Sequence, residues 1–141
     1  MSSVLKVSDA AAMGLHAMVL LSANRGRLLS NHNIAAALGV SEAHLSKVLQ
    51  RLAHAGFVKS TRGPGGGFAV ARDGGRRSLL DVYEVIEGPL RPSDCLLASP
   101  VCGGRRCIFG GMLKRFNTEA RGYLARTKVS ELAGSYRRRR P

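Results

Sequence analysis

Apolar residues along this 141-residue chain recur mainly at steps of three and four, the spacing of one face of an α-helix. Ser8 reads as the cap of a first helix running to about Asn24, with Asp9 in its first turn, where a carboxylate suits the positive helix end. Ala12, Leu15 and Val19 carry its helical spacing, and NRGRLLS breaks it. Residues 30–58 then read as two short helices, SNHNIAAALGV and SEAHLSKVLQRLAHAGFV. Ser30 and Ser41 are their caps. Ile34, Ala35 and Leu38 form the buried face of the first, and Gly39 supplies the left-handed residue that ends it. Leu45, Val48, Leu49 and Leu52 form the buried face of the second, which Gly56 closes.

Two short helices joined by a tight Gly-containing turn form a helix-turn-helix, or else an ordinary helical hairpin. The adjoining stretch, FVKSTRGPGGGFAVAR, favours the first reading. In it Phe57-Val58-Lys59 and Phe68-Ala69-Val70 are set to pair as strands around the turn Arg62 to Gly67. Gly63, Gly65 and Gly66 let the backbone of that turn approach another surface closely. A phosphate-binding loop is the weaker reading, since no Walker lysine comes after it and no helix begins there. The expectation is a wing beside a recognition helix.

Residues 78–87, SLLDVYEVIE, form a further amphipathic helix, with Leu79, Val82, Val85 and Ile86 inward, and Gly88-Pro89 end it. A last helix is expected from about Arg105 to Arg126, striped by Phe109, Met112, Leu113, Phe116, Ala120, Tyr123 and Leu124. At that length, ~30 Å by the usual rise, it suits pairing with a second copy. Two copies present two recognition helices to a two-fold symmetric DNA site. The fold class is therefore mainly α with a small β-wing: a winged helix-turn-helix plus a long C-terminal dimerisation helix.

Charge sharpens this picture. The formal net charge is +13, which suits a polyanionic partner. It is segregated: residues 25–77 carry +7, residues 78–104 carry −3, and the chain ends in RRRRP. No window approaches the ~18 to 20 continuous apolar residues of a membrane span, and no signal peptide is read, so the expected compartment is the cytoplasm. No Ser/His/Asp or Cys/His constellation stands out. His16, His32, His44 and His54 read as surface, turn or helix residues, and no enzyme is expected.

DCLLASPVCGGRRCIFGG holds all three cysteines, Cys95, Cys102 and Cys107. Four readings are open. They are unrelated thiols; a zinc site, although C-x₆-C-x₄-C departs from the usual two short C-x₂₋₄-C pairs and lacks a fourth ligand; a thiol switch, with Arg105 and Arg106 favouring the Cys107 thiolate; or three ligands of an iron–sulfur cluster.

KVSDAAAMGLHAMVLLS, IAAALGVSEAHLSKVLQRLAHAGFVKSTRGPGGGFAVAR, LLDVYEVIEGP and the cysteine segment leading into CIFGGMLKRF together resemble the Rrf-two family of bacterial winged-helix regulators, of IscR and NsrR type, over about residues 4–133. The resemblance implies a homodimer and often an iron–sulfur cluster. By position it implies that Ala43, His44, Ser46 and Lys47 start the DNA-reading face and that Arg62 serves the wing. Some members carry an acidic residue at the Ser46 position to reject certain bases, and serine departs from that. The cysteine gaps of six and four also depart from the family's five and five, with the total span kept. The IscR subtype completes its site with a histidine three residues after the last cysteine, where this chain has Gly110. The NsrR subtype uses an aspartate of the partner subunit, which falls on Asp9. His16, on nearly the same face, is a weaker candidate, and water or a small thiol are others. By the same analogy [4Fe–4S] is favoured over [2Fe–2S].

The expected organisation is a DNA-binding domain over 1–90, a cluster-binding loop over 91–108, a dimerisation helix with a short following segment over 105–133, and a basic tail over 134–141. The expected function is a DNA-binding regulator, a repressor, sensing redox state, nitric oxide or iron–sulfur status. The alternatives are a cluster-free regulator switched by cysteine oxidation or a small ligand, and a non-specific architectural DNA-binding protein.

Overall fold

The computed structural model describes residues 7–91, 94–103 and 106–136. Its helices are α1 (Asp9–Ala23), α2 (Asn31–Leu38), α3 (Glu42–His54), α4 (Leu79–Glu87) and α5 (Met112–Arg126), with strands β1 (Val58–Thr61) and β2 (Gly67–Val70) between α3 and α4. Short 3₁₀ segments lie at Gly74–Arg76 and Val129–Tyr136.

Local chemistry sets the helix starts. Oγ of Ser8, Ser30 and Ser41 accepts the backbone N–H of Ala11, Asn33 and His44, respectively, three residues on. Ser78 and Asp81 form a reciprocal capping box at the head of α4. Gly39 ends α2 in the left-handed conformation, at φ 68°.

α1 is the central element, packing against α2, α3, α4, β2 and both 3₁₀ segments. Met18, Leu21, Ile34, Leu45, Leu49, Leu52, Val82 and Val129 are fully buried in the core. Each such side chain contributes about 1.5–3 kcal/mol by leaving water. The buried face expected for α3 is the observed one. In α2, Ile34 and Ala35 are buried and Leu38 half-buried. In α4 the burial is wider than its periodicity indicates: Leu80 and Tyr83 are buried beside Leu79, Val82 and Ile86, while Val85 is half-buried.

β1 and β2 pair antiparallel in the register Val58↔Val70 to Thr61↔Gly67, so the first strand starts one residue after Phe57. Pro64 followed by Gly65 at φ 74°, with the Gly66 N–H donating to the Gly63 carbonyl at 2.9 Å, is the pattern of a type II turn. Leu29 adds a bridge to Phe68, with N···O distances of 2.9 and 2.8 Å, which fastens the base of the wing to the start of α2.

The last helix differs from expectation in extent and in its faces. It begins at Met112, not near 105, and its 15 residues reach about 22 Å. Ahead of it the chain turns twice, Gly110 N–H to the Cys107 carbonyl (2.9 Å) and Met112 N–H to the Phe109 carbonyl (3.1 Å), with Gly110 at φ 58°. The apolar stripe also splits. Leu113, Asn117 and Leu124 are buried, and the helix packs on α4, while Met112, Phe116 and Tyr123 stay about half exposed. The RRRR tail and Arg105 lie outside the described residues.

Candidate nucleic-acid interface and cysteine centre

The cap at Ser41 and the apolar face on the core fix how α3 presents its other side. Ala43, His44 and Lys47 are exposed there, and Ser46 is half-buried. Gln50 shares this exposed side, one turn beyond Ser46, and its Nε2 donates to Ser46 Oγ at 3.4 Å. Sequence reasoning missed Gln50, although its position at i+3 from Lys47 and i+7 from Ala43 is legible there. Arg51 is directed elsewhere, donating to the Ile86 carbonyl at 3.1 Å and joining α3 to α4. On the wing, Arg62, Gly63 and Gly65 are exposed and Gly66 is half-buried. Arg62 directly follows the end of β1, at the corner where strand becomes turn.

The cysteine segment leaves α4 through Gly88 at φ 84°, and Arg121 of α5 donates to the Leu90 carbonyl at 2.8 Å. Cys95, Cys102 and Cys107 line one hollow of about 110 Å³ together with Arg106 and the aliphatic side chains of Leu96, Leu97, Val101 and Ile108. None of the three is in a disulfide. The Leu97 N–H donates to Cys95 Sγ and the Phe109 N–H to Cys107 Sγ, both at 3.4 Å. Among the described residues no group of three or more His, Cys, Asp or Glu is gathered closely enough to hold a metal ion.

Asp9 and His16 lie apart from that hollow. They line a groove of about 420 Å³ with Met13 of α1 and with Leu38, Gly39 and Val40 of the α2–α3 turn. Asp9 is exposed, while Ser8 beside it donates to the Glu87 carboxylate at the end of α4. His16 is exposed and its Nδ1 lies 2.7 Å from the Ala12 carbonyl, which can only accept, so Nδ1 is the donor. One chain therefore brings the three thiols together and does not bring Asp9 or His16 to them.

Among the described residues no helix is long and apolar enough to cross a membrane. BadM of Rhodopseudomonas palustris is 37% identical over 83 residues, 59% of this chain and 53% of BadM. The HTH-type transcriptional regulator IscR of Xenorhabdus nematophila is 29% identical over 94 residues, 67% of this chain and 57% of IscR. The chain thus covers little more than half the length of these two relatives. The solved structure of CymR, described as the global cysteine regulator of B. subtilis, superposes with a TM-score of 0.76 at 28% identity, covering 93% of this chain and 98% of that one. The T. potens IscR structure gives 0.69 at 26% identity, covering 98% and 93%. These relatives are regulators of transcription rather than enzymes. The family model described as an iron-dependent transcriptional regulator matches residues 7–135, and with nearly the whole winged helix-turn-helix and α5 inside that match, the chain belongs to the Rrf2 family of transcriptional regulators.

Proposed function

We propose that the chain acts in the cytoplasm as a homodimeric repressor that binds a two-fold symmetric double-stranded DNA site, and that an iron–sulfur cluster on Cys95, Cys102 and Cys107 sets its affinity for that site. The observation that carries the sensing half is that every cysteine of the chain lines one hollow. The donor set fits such a group. Two of the sulfurs already accept backbone N–H groups, which stabilise a thiolate, and Arg106 offsets negative charge beside them. The three sulfurs still have to draw together, because they are not at metal-holding spacing. A bound cluster supplies a centre whose charge and stability change with oxidants, nitric oxide or iron supply. Asp9 is the candidate fourth donor, given from the partner subunit. Its carboxylate is exposed and makes no hydrogen bond or ion pair among the described residues. Because Asp9 lies in a groove with the α2–α3 turn, engaging it would bear on how the recognition helix is held.

The DNA half rests on the exposed α3 side and the wing. Lys47 and Ser46 reach base edges or phosphate, Arg62 suits a minor groove, and Gly63, Gly65 and Gly66 allow the wing backbone to lie against the sugar–phosphate chain. The dimer rests on the half-exposed Met112, Phe116 and Tyr123 of α5, beside a groove of about 470 Å³.

The test is anaerobic preparation of the wild type, Cys102→Ser and Asp9→Ala, with visible absorption, iron and sulfide counts, and DNA affinity with and without the cluster. The expected result is a coloured, iron-containing wild type whose affinity for one palindromic site, relative to random duplex, changes when the cluster is removed. Colourless, iron-free protein from cells with working cluster assembly refutes the cluster. An Asp9→Ala protein with unchanged spectrum and cluster lifetime refutes only the Asp9 role. A second reading is favoured by the exposure of Cys102 in the same hollow: a metal-free thiol switch. Iron-free protein whose DNA affinity shifts with a mild oxidant selects it.

A further inference from the structure

The N-termini of α2 and α3 are tied together at two points. Asn31 Nδ2 donates to the Glu42 backbone carbonyl at 3.0 Å, and His32 Nδ1 lies 2.5 Å from Glu42 Oε1. Asn31 and His32 are the first two residues of α2, and Glu42 is the first residue of α3. Glu42 is also the sole carboxylate between residues 25 and 72, a span with seven Lys or Arg. It stands at the head of the recognition helix, where free backbone N–H groups and the helix dipole otherwise favour a DNA phosphate. A carboxylate there stabilises the helix and repels the DNA backbone. The imidazole against it decides how much of that repulsion remains.

We propose that His32 and Glu42 form a pH-sensitive clasp that sets DNA affinity from the head of the recognition helix, by masking the Glu42 charge when His32 is protonated and exposing it when His32 is neutral. The inference rests on the DNA-binding reading above. Both side chains are more than half exposed, at 73% for His32 and 55% for Glu42, so the pair is open to solvent protons and to DNA. The charged or titratable groups on the elements packed against α2 and α3 are His44, Lys47, Arg51 and His54 of α3, Asp9 and His16 of α1, Arg25 and Arg27 of the segment leading into α2, Lys59 and Arg62 of the wing, and Asp81, Tyr83, Glu84 and Glu87 of α4. Among the described residues none of them is hydrogen-bonded or ion-paired to His32 or Glu42.

The sign follows from the charges. An imidazole ordinarily changes charge between about pH 5 and 8. At the acidic end the clasp is an ion pair with no net charge, and DNA binding is tighter. At the alkaline end Glu42 keeps its negative charge, and binding is weaker. A unit charge about 7 Å from a phosphate in solvent changes affinity by about threefold, hence roughly tenfold over two half-sites.

The experiment measures anisotropy of a labelled 30-base-pair random-sequence duplex with the full chain at fixed salt, at pH 5.5 and 8.0, for wild type, Glu42→Gln, His32→Asn and the double variant. Random sequence suffices because the effect is on the phosphate term. Wild type is expected to lose roughly tenfold in affinity from pH 5.5 to 8.0. Glu42→Gln should bind at pH 8.0 about as tightly as wild type at pH 5.5, and more tightly still at pH 5.5, because the imidazole of His32 remains. His32→Asn should bind weakly at both pH values, and the double variant should bind at both about as tightly as Glu42→Gln does at pH 8.0. Wild type and His32→Asn losing affinity by the same factor from pH 5.5 to 8.0, or Glu42→Gln binding no more tightly than wild type at pH 8.0, overturns the clasp and leaves the DNA reading intact. A wild type that binds no duplex at either pH overturns both.

Discussion

The glycines of the wing give the most direct check on how this fold is held. A Cβ at Gly67, whose φ is +156°, would stand 2.4 Å from the Leu29 carbonyl oxygen, 2.7 Å from its carbon and 3.0 Å from the Ser30 nitrogen. Every one of these is a backbone atom, so no side chain can swing aside. The contact has to open by about 1 Å to reach van der Waals separation. That opening breaks the two Leu29–Phe68 hydrogen bonds, worth about 1 kcal/mol each. Positive-φ strain adds about 1–3 kcal/mol. Gly67→Ala should therefore cost about 3–5 kcal/mol, with the wing parting from the head of α2. Gly65→Ala is the control: φ is +74° but nothing lies within 4 Å of its Cβ, so only about 1–2 kcal/mol of left-handed strain applies. Urea unfolding followed by circular dichroism reads the global cost, and hydrogen exchange of the Leu29 and Phe68 amides reads a local one. If Gly67→Ala loses no more than Gly65→Ala on both measures, the bridge does not hold the wing.

Two further outcomes concern α5 and α4. Phe116→Asp, on the half-exposed face of α5, should leave the fold intact and shift sedimentation from dimer to monomer, whereas Leu124→Ala, on the buried face, should cost about 2–4 kcal/mol in urea unfolding. Burial, reinforced by the Glu87 charge, raises the pKa of Tyr83; the unfolded chain then releases that proton first, so stability should fall as pH rises above about 10, and Tyr83→Phe should flatten that fall in pH-dependent urea titrations.

Much of the N-terminal half was legible in the chain. Ser8, Ser30 and Ser41 were readable as caps, Gly39 as a left-handed stop, and Leu45, Val48, Leu49 and Leu52 as a core face, because caps and helical spacing act within one or two turns. The C-terminal region was less so. Phe109 and Met112 continue the three-four spacing of α5, yet the turn at Cys107–Gly110 excludes the first of them from the helix. Periodicity cannot separate a helix from a turn that places the next apolar side chain at the same interval. It also could not divide the stripe, since whether Leu113 or Phe116 is buried depends on where α4 lies.

The sequence by itself determined the order of elements, the helix-turn-helix and its wing, and the clustering of all three thiols in one loop, since each is written in residues close along the chain. Tertiary structure alone decided which side of α5 meets α4, that Leu29 closes the wing onto α2, that His32 grips Glu42, and that Asp9 faces a groove away from the cysteines of its own chain. Those contacts join residues ten or more positions apart, and such pairings are chosen by how whole helices pack, not by the local spacing of side chains.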